Sequence, residues 1–191
     1  LYTLQRNSTI TDNQIKQIAL FPSAKVNNIK KVYRYESYFQ KKIVNSKVAV
    51  TLSYTNDKGN NLEIPLPKGL IRVYKADEDG SVEFIGEEYI DHTPRNEEIR
   101  IATGNAFDVI GDRKQVDRHG QRYSFEIRIR NHKDVAVEVV VGERLHYNWK
   151  VLEADPPVWK KKNSGLIEWV IDVQPEEERL ISYTVLFTPD E

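Results

Sequence analysis

Residues 124–131 read SFEIRIRN, and this stretch decides the fold. The apolar residues at 125, 127 and 129 alternate with the charged residues at 126, 128 and 130. A period of two is typical of a β-strand that buries one face. The same period recurs in LIEWVIDV (166–173) and RLISYTVLF (179–187), while VAVEVVV (135–141) is more continuously apolar, with Glu138 as its one polar residue. A continuous apolar run predicts a strand in the middle of a sheet.

Alternating stretches also fill the first half of the chain. The stretch RVYKADEDGSVEFIG (72–86) predicts a hairpin whose turn includes Gly80. No stretch keeps a convincing helical period, so we predict an all-β protein of two packed antiparallel β-sandwich units, residues 1–104 and 105–191, with the second unit immunoglobulin-like. The predicted strands before residue 117 are Tyr2–Ile10, Gln14–Phe21, Lys25–Glu36, Lys47–Tyr54, Leu70–Lys75, Val82–Ile90, Glu97–Ala102 and Ala106–Val116.

Composition and charge argue against several classes of function. The 28 Lys and Arg and 29 Asp and Glu leave a net charge of -1, without the basic excess of a nucleic-acid-binding protein. No apolar run reaches the about 18–20 residues of a membrane span. Cysteine is absent and the four histidines lack metal-ligand spacing, so we expect neither a metal nor a cofactor. The chain opens Leu-Tyr-Thr-Leu rather than with methionine, which predicts a processed product.

The pair Asp91-His92 is the strongest catalytic candidate. Neighbouring strand residues point to opposite faces, so this aspartate and histidine do not naturally form a dyad. Asp91-His92-Thr93-Pro94 is instead typical of a strand end and turn, because the proline extends the residue before it. No G-x-S-x-G motif is present, and we predict that the protein is not an enzyme. A hydrolase built from distant loops, such as His132 with Asp108 or Asp134, is the least favoured alternative.

Three blocks carry a resemblance to a known family: residues 66–117 (LPKGLIRVYKADEDGSVEFIG through DRKQVD), IRIRNHKDVAVEVVVGER (127–144) and NWKVLEADPP (148–157). The chain resembles the C-terminal domain of unknown function of mucoidy-inhibitor-A-like bacterial proteins. It departs from the family pattern at His146-Tyr147-Asn148 and in a shorter segment before the strand at 124. The resemblance implies a β-rich module at the end of a longer protein, located outside the cytoplasm. It implies no catalytic residues.

The leading hypothesis is a non-enzymatic module of the cell envelope or extracellular space that acts through protein–protein contacts, with self-assembly as the expected form. An N-terminal strand with Leu1, Tyr2 and Leu4 is predicted to pair with a neighbour's sheet edge, and the outward-facing Arg128 and Arg130 form a second candidate interface. The alternative is an envelope-glycan-binding module. Its candidate ligand-binding residues are the aromatic side chains of Tyr147, Trp149 and Trp159.

Overall fold

The structure is a computed structural model that describes residues 7–9, 11–19, 23–39, 42–77, 79–146 and 148–188. Nearly all of its regular structure is strand, apart from a 3-10 turn at Lys58–Asn60. The strands are β1 (Lys30–Tyr38), β2 (Lys42–Thr55), β3 (Gly69–Ala76), β4 (Val82–Ile90), β5 (Glu98–His119), β6 (Arg122–Asn131), β7 (Val137–Arg144), β8 (Asn148–Asp155), β9 (Lys160–Asn163), β10 (Leu166–Val173) and β11 (Glu178–Thr188).

The all-β prediction is confirmed. Nine strands form one sheet in the order β8-β11-β6-β5-β2-β1-β7-β10-β9, and β3 and β4 form a second, two-stranded sheet. All strand pairs are antiparallel except β1 and β7, which run parallel, a pairing that the prediction did not include. The large sheet folds over on itself, since Trp169 of β10 and Tyr183 of β11 lie far apart in strand order but their ring centroids are 5.4 Å apart.

The alternating stretches place their apolar residues in one core, as predicted. Phe125, Ile127 and Ile129 of β6 are buried, and so are alternate residues of β7, β10 and β11. Strand β7 pairs with β1 on one side and β10 on the other, which confirms its predicted central position. At Gly111 of β5 the ring of Tyr35 lies so close that an added Cβ would sit 2.3 Å from it. The packing therefore requires glycine at this position.

A smaller core joins the β3–β4 hairpin to the large sheet. Leu66, Ile99 and Ile101 are buried there. The hairpin crosses β5 at Gly86, where an added Cβ would lie 2.8 Å from the Cα of Thr103. One face of the hairpin thus packs against β5 and the smaller core, and the other points outward.

Several predicted strands are wrong in extent. Of Gln14–Phe21, residues 14–19 form no strand and residues 20 and 21 lie outside the described part. Ile15 is fully exposed, because no described strand pairs with this segment. The predicted strand Lys25–Glu36 begins only at Lys30. Of Tyr2–Ile10, residues 7–9 are not strand, and residues 1–6 and 10 lie outside the described part.

The last two strands predicted in the first half form a single strand, β5. Its pairing with β2 shifts register between Ala102 and Asn105, and the φ of 101° at Gly104 fits a bulge there that lets the strand continue. The predicted boundary between residues 104 and 105 falls inside β5. The division into two units and the immunoglobulin-like comparison stay predictions.

Candidate functional site

The Asp91-His92-Thr93-Pro94 segment follows the end of β4. The carboxylate of Asp91 accepts a hydrogen bond from the backbone N–H of His92 at 3.0 Å, and the Thr93 hydroxyl donates to the Asp91 carbonyl at 2.9 Å. The Nδ1 atom of His92 accepts from the backbone N–H of Lys68 at 3.3 Å. In a catalytic triad, Nδ1 instead carries a proton and donates it to a carboxylate. The hydrogen bonds at this segment are therefore those of a chain connection.

The side chain of the buried Asn56 holds this connection in place. Its Nδ2 donates to the carbonyl of Ile64 at 2.7 Å and to that of Pro94 at 2.9 Å. The backbones of Leu66 and Thr93 exchange two hydrogen bonds of 2.9 and 3.0 Å. These bonds tie the connection to the segment before β3, and the turn residues, Arg95 and Asn96, come directly after it.

The backbone N–H of His132 donates to the Asp108 carbonyl at 2.7 Å, but the side chains of these two catalytic candidates pair with other residues. Within the ranges that the structure describes, no three His, Asp or Glu side chains are grouped as metal ligands. His132 faces Glu176 at 3.7 Å, while Asp108 pairs with Lys133. In the same described ranges, no helix has the length and apolar character of a membrane span.

The most unusual polar group lies inside the sandwich. Arg113 of β5 and Glu143 of β7 are both fully buried. The guanidinium Nε and Nη2 donate to Glu143 Oε1 at 2.9 and 2.6 Å, and Nη2 also reaches the Tyr183 hydroxyl at 3.3 Å. The Ser37 hydroxyl donates to the other carboxylate oxygen. The guanidinium also stacks over the ring of Phe125, 4.0 Å from its centroid.

Burial and the ion pair perturb the acid–base properties of this buried cluster. Burial alone lowers the pKa of Arg113, but the charge and hydrogen bonds of Tyr183 and Glu143 outweigh it, and the pKa is raised. Burial, and then the charge of Glu143, raise the pKa of Tyr183 well above its ordinary value. The same two causes raise the pKa of Tyr35. The guanidinium of Arg113 therefore stays charged inside the core while Tyr35 and Tyr183 stay neutral.

The tryptophans expected to bind a ligand are half-buried against the main core. Trp149 donates its indole N–H to the Ser164 carbonyl at 2.6 Å, and the Lys161 ammonium lies 4.6 Å from the centre of its ring. Trp159 packs on the same core. Tyr147 lies outside the described residues. The glycan-binding role of these three residues stays a prediction, and the lysine above Trp149 already covers part of that ring.

The two arginines predicted to form an interface have ion pairs within the chain. Arg128 pairs with Glu126 at 3.1 Å, and Arg130 pairs with Asp112 at 2.6 Å. Leu1, Tyr2 and Leu4 lie outside the described residues, so strand exchange through the N-terminus stays a prediction.

Sequence reasoning missed an aromatic surface on the β3–β4 hairpin. Four cross-strand pairs share its outward side, which we call the hairpin face: Leu70 with Tyr89, Arg72 with Glu87, Tyr74 with Phe84, and Ala76 with Val82. A bulge opposite Val73 and Tyr74 keeps these pairs on one side. The sequence does carry a signal for this surface. Apolar residues occupy both odd and even positions of the strand, as the neighbours Val73 and Tyr74 do, so apolar side chains point to both of its faces.

The hairpin face exposes large apolar side chains. Tyr89 is 72% exposed, Tyr74 53% and Phe84 50%. The rings of Tyr74 and Phe84 pack edge to face with centroids 5.6 Å apart. The ion pair between Arg72 and Glu87, at 3.1 Å, lies among them and leaves the face neutral. Clustered exposed aromatic side chains are typical of binding surfaces.

Comparisons with known proteins give no family. No family model matches the chain, and no curated protein matches it. Among solved structures, the NMR structure of the folded domain of the Mycobacterium tuberculosis protein LppM is similar, with 11% identity, 91% of this chain and 97% of that chain covered, and a TM-score of 0.25. A TM-score this low carries no argument. The resemblance to mucoidy-inhibitor-A-like proteins stays a prediction.

Proposed function

We propose that this protein is a protein-binding β module that associates with a second copy of itself through the hairpin face. The observation that carries the proposal is the exposed aromatic cluster of Tyr74, Phe84 and Tyr89 on a sheet whose other side is packed. Because aromatic side chains contribute much of the energy of protein interfaces, this face is the best candidate contact surface.

The charge of the hairpin face favours a second copy as the occupant. A two-fold dimer uses the same patch on both subunits, so the patch must be complementary to itself. The face carries one cation, Arg72, and one anion, Glu87, which already pair with each other. Two copies related by a two-fold axis can bring each arginine towards the other copy's glutamate without a net charge between them.

The sheet edges support face-to-face contact rather than strand addition. The outer strands of the large sheet are β8 and β9. Strand β9 reads KKKN and is fully exposed. Lysines on an edge strand discourage the pairing of further strands, because another chain would have to approach several positive charges.

The setting that we propose is outside the cytoplasm, in the cell envelope or the extracellular space. This part rests on the resemblance to the mucoidy-inhibitor-A-like C-terminal domain. Binding of an envelope glycan is the second candidate, and the same hairpin face could serve it, because exposed tyrosines are also suited to contact with sugar rings.

The test is solution mass across a concentration series, measured by sedimentation velocity. The wild-type chain is expected to shift from 22.2 kDa towards twice that mass. Phe84→Glu should weaken the dimer at least about tenfold, since half-burying a phenylalanine contributes about 1 kcal/mol and a buried charge costs more. Phe107→Glu is the matched control, because Phe107 is an 89% exposed aromatic on β5, outside the hairpin.

Three outcomes separate the candidates. A dimer lost in Phe84→Glu and kept in Phe107→Glu supports the proposal. A monomer at all concentrations overturns self-association. If that monomer binds envelope glycans and Phe84→Glu removes the binding, the glycan candidate takes its place.

A further inference from the structure

A pocket opens at one end of the sandwich, away from the hairpin face. It lies where the β5–β6 turn meets Phe39, directly after β1, and the last residues of β11, and its volume is about 320 Å³. We call it the end pocket. Phe39, Tyr123 and Phe187 form its wall, and Arg118 lies at its rim. A volume of this size is at the small end of the range for ligand pockets.

The wall of the end pocket is built from packed aromatic rings. The Phe39 centroid lies 5.2 Å from that of Tyr123 and 4.9 Å from that of Phe187, both edge to face. Tyr123 and Phe187 contact each other in the same manner at 5.5 Å. Phe187 is buried, while Phe39 and Tyr123 are half-buried. The two half-buried rings therefore present apolar surface that a further ring can contact.

The rim carries a guanidinium held in place. The Arg118 guanidinium carbon lies 4.9 Å from the centre of the Tyr123 ring, and Nε donates to the Gly120 carbonyl at 3.3 Å. Within the described ranges, the contacts of this guanidinium are with a ring and a carbonyl, and no carboxylate forms an ion pair with it. A stacked guanidinium without a counter-charge is suited to bind a carboxylate through two parallel hydrogen bonds.

We propose that the end pocket binds a small aromatic carboxylate, with its ring against Phe39 and Tyr123 and its carboxylate on Arg118. The apolar wall accounts for the ring, and the guanidinium of Arg118 accounts for the carboxylate. A free aromatic acid and the C-terminal aromatic residue of a peptide share this chemistry. The proposal does not depend on self-association through the hairpin face.

The experiment is a titration of the ¹⁵N-labelled chain followed by two-dimensional NMR at constant ionic strength. The probes are 3-phenylpropionate for the free acid and N-acetylphenylalanine for the peptide terminus. The controls are 3-phenylpropanamide, which keeps the ring without the charge, and acetate, which keeps the charge without the ring. Saturable shifts at the amides of Gly120, Gln121 and Thr188 are expected with at least one aromatic acid and not with acetate.

Two charge-reversal variants complete the test. Arg118→Glu should weaken binding of the responding acid at least about tenfold, as expected when a charge-assisted hydrogen bond is lost. Arg179→Glu is the matched control, because Arg179 is an exposed arginine at the other end of β11 and should leave binding unchanged. Shifts that never saturate, amide and acid binding equally well, or an unchanged affinity in Arg118→Glu would each overturn the proposal.

Discussion

The buried ion pair between Arg113 and Glu143 gives the sharpest test of the fold. Glu143→Gln keeps the shape of the side chain but removes its charge, and Arg113→Met removes the guanidinium. Each single variant leaves one buried charge without its partner. Both side chains have 0% exposure and are joined by bonds of 2.6 and 2.9 Å, so solvent does not screen the loss and the small values measured for surface pairs do not apply.

The expected cost of each single variant is about 3–5 kcal/mol. That is a large part of the about 5–15 kcal/mol that stabilises a typical domain. The double variant Arg113→Met/Glu143→Gln leaves no unpaired charge, and residue 143 can still accept from Ser37. Its expected cost is only about 1–3 kcal/mol, from the polar groups left without their best partners. The double variant should therefore be more stable than either single variant.

Urea unfolding followed by tryptophan fluorescence measures all four free energies, and Trp169 reports directly because it lies in the same core. The quantity that decides is the difference between the cost of the double variant and the summed costs of the two single variants. If the double variant loses as much as the two single variants together, the two charges are not coupled and the account of the buried pair is refuted.

Three further predictions concern packing, surface charge and pH. Gly111→Ala should lower the free energy of unfolding by about 1–3 kcal/mol, because the new Cβ would overlap the ring of Tyr35. The control Gly69→Ala should change it little, because a Cβ there meets nothing within 4 Å. Equal effects of the two variants in urea unfolding would contradict this. Lys42→Glu should stabilise the fold by about 0.2–1 kcal/mol, because Lys42 lies directly opposite the like-charged Lys114 in the β2–β5 pair. Thermal melts measure this, and a lower melting temperature of the variant would count against it. The pKa values of Tyr35 and Tyr183 are raised in the folded state, so their contribution to stability is fully present below the unfolded-state pKa of about 10 and is lost as pH rises above it. Both phenols should therefore ionise together with unfolding. An ultraviolet titration that shows both ionised near pH 10 in a folded protein would disprove this.

The exposed hairpin face and the end pocket lie on separate elements and need separate explanations. The first is neutral and aromatic, while the second combines aromatic rings with a guanidinium that forms no ion pair with a described carboxylate. Each is tested by one charged substitution with a matched control elsewhere on the surface. The results for one therefore do not decide the other.

Local pattern predicted much of the fold because a strand's two faces alternate in the sequence itself. The core residues of β6, β10 and β11 follow from that rule, and the apolar run in β7 predicted its central place. The strand prediction failed at residues 14–19, where Ile15 and Ile18 are spaced as in a helix and where no described strand pairs with the segment. Whether a strand forms depends on a partner that local sequence does not reveal.

The sequence by itself determined the all-β class and the hairpin at residues 72–86. Only the tertiary structure decided which charged residues lie inside and which apolar residues lie outside. Arg113 and Glu143 stand 30 residues apart in the chain, yet they meet in the core, while Tyr74 and Phe84 remain exposed. The physical reason is that burial is a property of strand pairing and sheet packing over long distances, whereas a two-residue period records only that a strand has two faces.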